Sequence, residues 1–406
     1  MKKTPAHKWL FSTRFRRQAY AWHSSSLAVQ RVKEAVREIR NAAVKDPLLG
    51  AEGAVLFLEK VSPALEQVDS SSGAIGSAVN QAIEGLVPLI VAAPADDHLR
   101  DRWLKRLDAA IEADEVPYIE LLPDYWGELC VTVERASHWA DEFIGIVRLS
   151  WRPDPKLHSF SKFTAACLSA LHRAGRYEDL LSLLEQEPHK MWIYRQWGVK
   201  ALVSMKKKAE ALRYAENSDA LNNSPVAIAR TCEEILLSSG MMEEAYRRYA
   251  LSANQSTTYI NTFRALVRKY PHKKPEDILQ DLINSTPGNE GKWFAAAKSA
   301  GLYETAIELA NLSPCDPKTL TRASIEAAAK EPGFALEAGL AALRWLVEGH
   351  GYEIAGMDVW RAFESTLKAA ELAGCRPGTL ERIRRLVGGG GAGAKFVAEA
   401  LGSRLA

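Results

Sequence analysis

Apolar residues recur at the spacing of one helix face along almost the whole chain. Between Ala28 and Val44 they fall at Val29, Val32, Val36 and Ile39, which an α-helix brings onto a single stripe. Residues 51–68 continue in this way, with Pro63 placed to kink or split the helix. Ser70–Gly73 offer a cap for another helix, and Asp96 and Asp97 sit where the positive end of a helix dipole favours acids. Alternating β-branched runs are scarce; "LCVTVER" (Leu129–Arg135) is too short to build a sheet. The pattern predicts an all-α protein.

Two stretches interrupt it. Ser150–Phe160 holds Pro153 and Pro155 among polar residues, and Gly388–Gly393 is a glycine run. They divide the chain into a basic flexible arm (1–23), an N-terminal helical domain (24–150), a regular helical region (156–387), and a Gly-rich linker with a terminal helix (388–406).

Within the regular region one phrase returns. "SSGMMEEAYRRYA" (Ser238–Ala250) and "SAGLYETAIELA" (Ser299–Ala310) each carry a Gly with Ala five positions later. Further copies put Gly175 with Leu180, Lys206 with Ala211, Lys273 with Ile278, and Gly333 with Ala338 in the two slots. The anchors 175, 206, 240, 273, 301 and 333 are spaced by 31, 34, 33, 28 and 32 residues. A period of this length marks stacked helical hairpins, none of which buries enough apolar surface alone.

These residues resemble the tetratricopeptide-repeat class of α-solenoid over roughly residues 156–348. The overall pattern also resembles a group of bacterial helical-repeat proteins without an assigned activity. The resemblance implies a right-handed solenoid of stacked antiparallel hairpins following an N-terminal helical region. In each hairpin the Gly marks the turn, and the small residue lets the second helix approach. The small residue expected seven positions before the anchor is replaced by Leu168, Val199, Glu233 and Phe294, which leaves Sel1-like, HEAT-like or other helical-pair stacking open. The resemblance also implies that first-helix residues Lys162, His172, Arg173, Gln196, Lys200, Arg230, Glu234 and Lys298 line a concave groove. The set is mainly basic and fits an acidic peptide or carboxylate-bearing tail.

Composition changes this picture little. The 406 residues are 47% hydrophobic and 25% charged, as in an ordinary folded protein. No window approaches the roughly 18 apolar residues of a membrane span, so no membrane partner is expected. Five scattered cysteines without a CxxC pair fit a reducing compartment, and the expected location is cytoplasmic. The net charge of +2 is uneven: eight basic residues precede the first acid, Glu34, leaving about −6 beyond them.

Chemistry-bearing motifs are weak. His138 and Glu142 share a helix face near Glu128 and Asp124, but HExxH needs a second His. A metal-dependent hydrolase at 124–142 is therefore a remote alternative. In "DYWGELC" (Asp124–Cys130) the aromatic pair fits core anchors better than pocket walls. Three Ser-x-x-Lys matches lack accompanying elements, and "GAGAKF" lacks the GK[ST] ending of a phosphate loop. No catalytic residue, metal ligand or cofactor is assigned. The arm's Arg14, Arg16, Arg17 and Trp22 offer phosphate neutralisation and base stacking, giving a nucleic-acid-associated accessory protein as the alternative. The leading expectation is a non-enzymatic interaction scaffold with a protein or peptide partner.

Overall fold

A computed structural model describes residues 7–20, 25–152, 161–218 and 224–405. Its regular elements are all helical, with no β-strand among the described residues. The chain divides into two compact units, Met1–Ser224 and Pro225–Ala406. This division lies inside the repeat region; most of the proline-rich stretch, residues 153–160, falls outside the described residues.

In the first unit, α1 (Leu10–Arg14) leads into α2 (Ser25–Lys45), α3 (Pro47–Leu65), α4 (Ala74–Ala92) and α5 (Asp97–Glu112). The lead-in is not a free arm from Trp9 to Tyr20. Phe11 and Phe15 meet the edge of Phe57 at 5.9 and 5.2 Å, and Trp9 lies over Gly53, where a Cβ would come within 2.4 Å of its ring. The Gln18 and Tyr20 amides bond the Pro63 and Ala64 carbonyls at 2.8 and 3.3 Å, satisfying acceptors left at the end of α3. Pro63 therefore sits in the last turn of an unbroken helix.

One expectation is corrected here. Helix α4 is long and apolar enough to cross a membrane. Its Ile75, Val79, Ile83, Leu86, Val87 and Ile90 are buried in the core of this unit, which accounts for the apolar composition. Then follow α6 (Trp126–Cys130), α7 (Val133–Ser150), α8 (Thr164–Arg173), α9 (Tyr177–Glu185), α10 (Trp192–Ser204) and α11 (Lys208–Glu216).

The second unit begins with α12 (Pro225–Leu237), α13 (Met242–Ala245), a π-helical turn (Tyr246–Ala250) and α14 (Leu251–Ala253). It continues through α15 (Tyr259–Lys269), α16 (Pro275–Asn284), α17 (Phe294–Ser299), α18 (Tyr303–Leu312), α19 (Pro317–Ala327), α20 (Pro332–Val347), α21 (Gly356–Leu372), α22 (Arg376–Gly388) and α23 (Ala394–Leu401). Both units contain tetratricopeptide-like antiparallel hairpins, and the all-α solenoid class holds.

The repeated anchor has a defined job. At Gly175, Gly240 and Gly301 φ lies between 72 and 79°, and the next residue's amide reaches back five positions: Arg176 to Leu171, Met241 to Leu236, Leu302 to Ala297, at 3.0–3.1 Å. This bond pattern ends a helix by capping its orphan carbonyls and requires a left-handed residue. Lys206 does the same at φ 62°. Replacing Lys206 with glycine should relieve that strain and stabilise the first unit by up to about 1 kcal/mol, net of the glycine's entropy cost. Slower amide exchange across residues 192–216 would register it. The paired slot is equally consistent: Leu180, Ala211, Ala245, Ile278, Ala306 and Ala338 have no accessible surface.

Gly333 is a different matter. It lies in the first turn of α20, and the chain turns before Pro332. The second helix starts two residues after Gly175, Gly240 and Gly301, so the equivalent anchor is Lys330. Two left-handed turns also escaped the repeat, Gly349 and Gly374. The 388–393 run is a tight crossing as well: a Cβ at Gly391 would stand 2.4 Å from the Val347 carbonyl and one at Gly393 2.2 Å from that of Leu346.

Candidate interaction surfaces

In the first unit the residues expected to line a groove are mostly engaged. Lys162 donates to the Glu112 and Asp114 carbonyls at 2.9 and 2.6 Å, capping the end of α5. Arg173 donates to the Val131 carbonyl, in a turn where Val131 holds φ 64°, a strained conformation for a β-branched residue. Gln196 bonds the Ile193 carbonyl of its own helix. His172 Nε2 stands 3.2 Å from Ser204 Oγ, with its ring between Tyr177 and Trp197, and burial pushes its pKa down.

Lys200 lies with its ammonium 3.8 Å from the centre of the Trp197 ring. Much of its side chain is accessible, yet the crowded ammonium is pushed below the usual lysine value, with Asp124 and Glu128 pulling it back. Burial raises the Asp124 carboxyl, and Lys200 and Trp197 oppose that shift. The structure thus gathers His172, Trp197, Lys200 and Asp124 into a mixed-charge cluster rather than a basic wall. His138 and Glu142 are exposed on α7, and among the described residues no group of three or more His, Cys, Asp or Glu could hold a metal. Burial pushes the Cys130, Cys167 and Cys315 thiols up to about 12, so they are not nucleophiles at neutral pH.

Of the arm residues, Arg14 pairs with Glu34 at 2.6 Å, Arg17 with Glu66 at 3.4 Å, and Arg16 is exposed. Trp22 lies outside the described residues. Phe15 and Tyr20 are core residues of this unit.

In the second unit Arg230 bonds the Ala253 carbonyl at 3.4 Å, Glu234 is exposed, and Lys298 pairs with Glu326 at 2.6 Å. Lys298 alone of the expected set lines a cavity. That cavity, about 660 Å³, runs over α15, α17 and α19 past Arg264, Lys292 and Arg322. A second cavity of about 380 Å³ carries on past Lys318 to Arg361 on α21. Arg322 and Glu326 line both, so the two form one groove across the first helices of successive hairpins.

The groove's charges do not balance. Asp316 caps α19, accepting from the Thr319 amide and hydroxyl at 2.9 and 2.8 Å. Asp358 accepts from the Ala355 amide and faces Lys318 at 3.6 Å, and Glu326 holds Lys298. Against these three acids stand Arg264, Lys292, Lys298, Lys318, Arg322 and Arg361. Arg322 and Arg361 are exposed, and neither meets an anion among the described residues. Sequence reasoning missed both: the anchor at Gly333 shifted the face of α19, and α21 lay beyond the apparent repeats. Its own signal was the Gly374 turn.

No family model matches the chain, and no curated protein matches it. Among solved structures, the one described as the crystal structure of the APC/C hetero-tetramer Cut9-Hcn1 aligns with 87% of this chain and 76% of its own, at 12% identity and a TM-score of 0.25.

Proposed function

We propose that the protein is a non-enzymatic interaction scaffold that holds an acidic peptide segment in the groove of its second unit. The observation that supports this is the pair of exposed guanidiniums, Arg322 and Arg361, standing without anions in a continuous groove. Guanidinium groups bind carboxylates through paired, charge-assisted hydrogen bonds, and an extended segment crossing successive helices meets both. The scattered cysteines fit a reducing cytoplasm as the setting.

The test is fluorescence anisotropy with labelled peptides rich in Asp and Glu. Reversing Arg322→Glu together with Arg361→Glu should weaken binding by at least about tenfold, a change of about 1.4 kcal/mol. Lys200→Glu with Arg230→Glu, which leaves this groove intact, should change it far less. Undiminished affinity in the Arg322/Arg361 double variant would refute the groove.

A further inference from the structure

We infer that the smaller cavity is an apolar subsite within this groove, selecting a bulky aliphatic side chain flanked by carboxylates in the bound segment. The inference rests on the acidic-peptide reading above and narrows it to a residue pattern. Ile325 is 57% exposed, unusual for a large aliphatic side chain. It projects from α19 one turn after Arg322, on the same helix face, and lines the cavity together with Leu346 of α20.

Nothing polar competes at the floor. The Thr321 hydroxyl, also at this cavity, is buried and donates to the Pro317 carbonyl at 2.8 Å, so it needs no ligand. The rim is cationic: Arg322 on one side, Arg361 on the next first helix, and Lys318 at the end. Lys318 already donates to the Tyr352 and Glu353 carbonyls at 3.2 and 3.0 Å and faces Asp358, which leaves the two arginines for a ligand.

An apolar floor under unpaired guanidiniums is complementary to one kind of partner surface. A purely acidic segment would leave Ile325 facing carboxylates. A purely apolar one would cover the arginines without pairing them, and covering an unpaired charge is costly. A segment with an aliphatic residue between acids satisfies both conditions. The cavity's 380 Å³ is at the small end of ligand pockets, suited to one residue rather than a folded element.

The experiment uses the full chain and a set of capped, fluorescein-labelled peptides with acidic flanks and a central position varied over the natural amino acids. Leu, Ile or Met at the centre should bind at least about tenfold tighter than Gly, as expected for burying one aliphatic side chain. Ile325→Asp should erase that preference, and Ile325→Ser should reduce it. Circular dichroism should match the parent in both variants, because the residue is on the surface. Acidic peptides that bind with no central preference would overturn the subsite and leave the groove standing. Failure of every acidic peptide would overturn the groove reading itself. Self-association that Ile325→Asp abolishes would also overturn the subsite, assigning the patch to a second copy of this chain.

Discussion

Trp126→Ala should destabilise the first unit by about 3–5 kcal/mol, the range for deleting a large buried aromatic ring. Trp126 has no accessible surface and meets Trp139 and Phe143 edge-on at 5.1 and 5.5 Å. Phe143 in turn stacks on Phe163 at 5.2 Å, so the ring anchors a cluster joining α6 and α7 to the segment that opens α8. Its indole nitrogen has no hydrogen-bond partner. The predicted loss is therefore transfer and cavity energy, with no polar contact broken. The next residue explains why the cavity cannot close. Gly127 packs so tightly on α8 that a Cβ would lie 2.4 Å from the Ser169 carbonyl, and its amide bonds Ser169 Oγ at 3.0 Å. Two units rule out a single two-state transition, so amide exchange read separately over residues 1–224 and 225–406 is the appropriate measurement. Loss of protection confined to the first unit is expected. An unchanged pattern would mean that the cluster contributes little.

The helices and their turns were legible because they are written locally. A 3.6-residue period and a left-handed anchor each need only a dozen residues to show themselves. That is why Gly175, Gly240 and Gly301 were found, and why Lys206 was recognised despite its side chain. What needed tertiary register was harder. The position seven before the anchor appeared to break the pattern, yet Leu168, Val199, Glu233 and Phe294 are all buried; the slot requires burial and tolerates large residues. The lead-in aromatics have no period, so their docking on α3 could not be read from the chain. Composition also fails to separate a core helix from a membrane span, as α4 shows. The groove was only partly legible. Lys298 was placed on it, whereas Lys162 and Arg173 carry charges that face backbone carbonyls in the fold.

Glu233→Ala should cost the second unit about 3–5 kcal/mol, the penalty for breaking a buried charge pair from one side. The carboxylate has no accessible surface. It accepts from the Tyr270 hydroxyl at 2.5 Å and the Asn254 amide at 2.7 Å, and it pairs with the Lys269 ammonium. One acid on α12 thus holds α15 and the residue that ends α14. Burial and the adjacent Glu233 push the Tyr270 phenol well above its ordinary value, so it remains a hydrogen-bond donor at any pH the fold encounters. After the substitution Lys269, partly accessible, turns to water, and Asn254 keeps its bond to the Ala250 carbonyl. Tyr270 has neither escape. It is fully buried against Tyr246, ring centres 5.0 Å apart, and its hydroxyl loses its acceptor. The damage should therefore be reduced by removing that hydroxyl: Glu233→Leu with Tyr270→Phe is expected to recover part of the loss, since replacing both partners of a buried polar contact leaves no group unsatisfied. Denaturant unfolding followed by exchange over residues 225–406 compares the single and double variants. If the double variant is no better than Glu233→Ala, the cost comes from lost packing and not from the stranded hydroxyl.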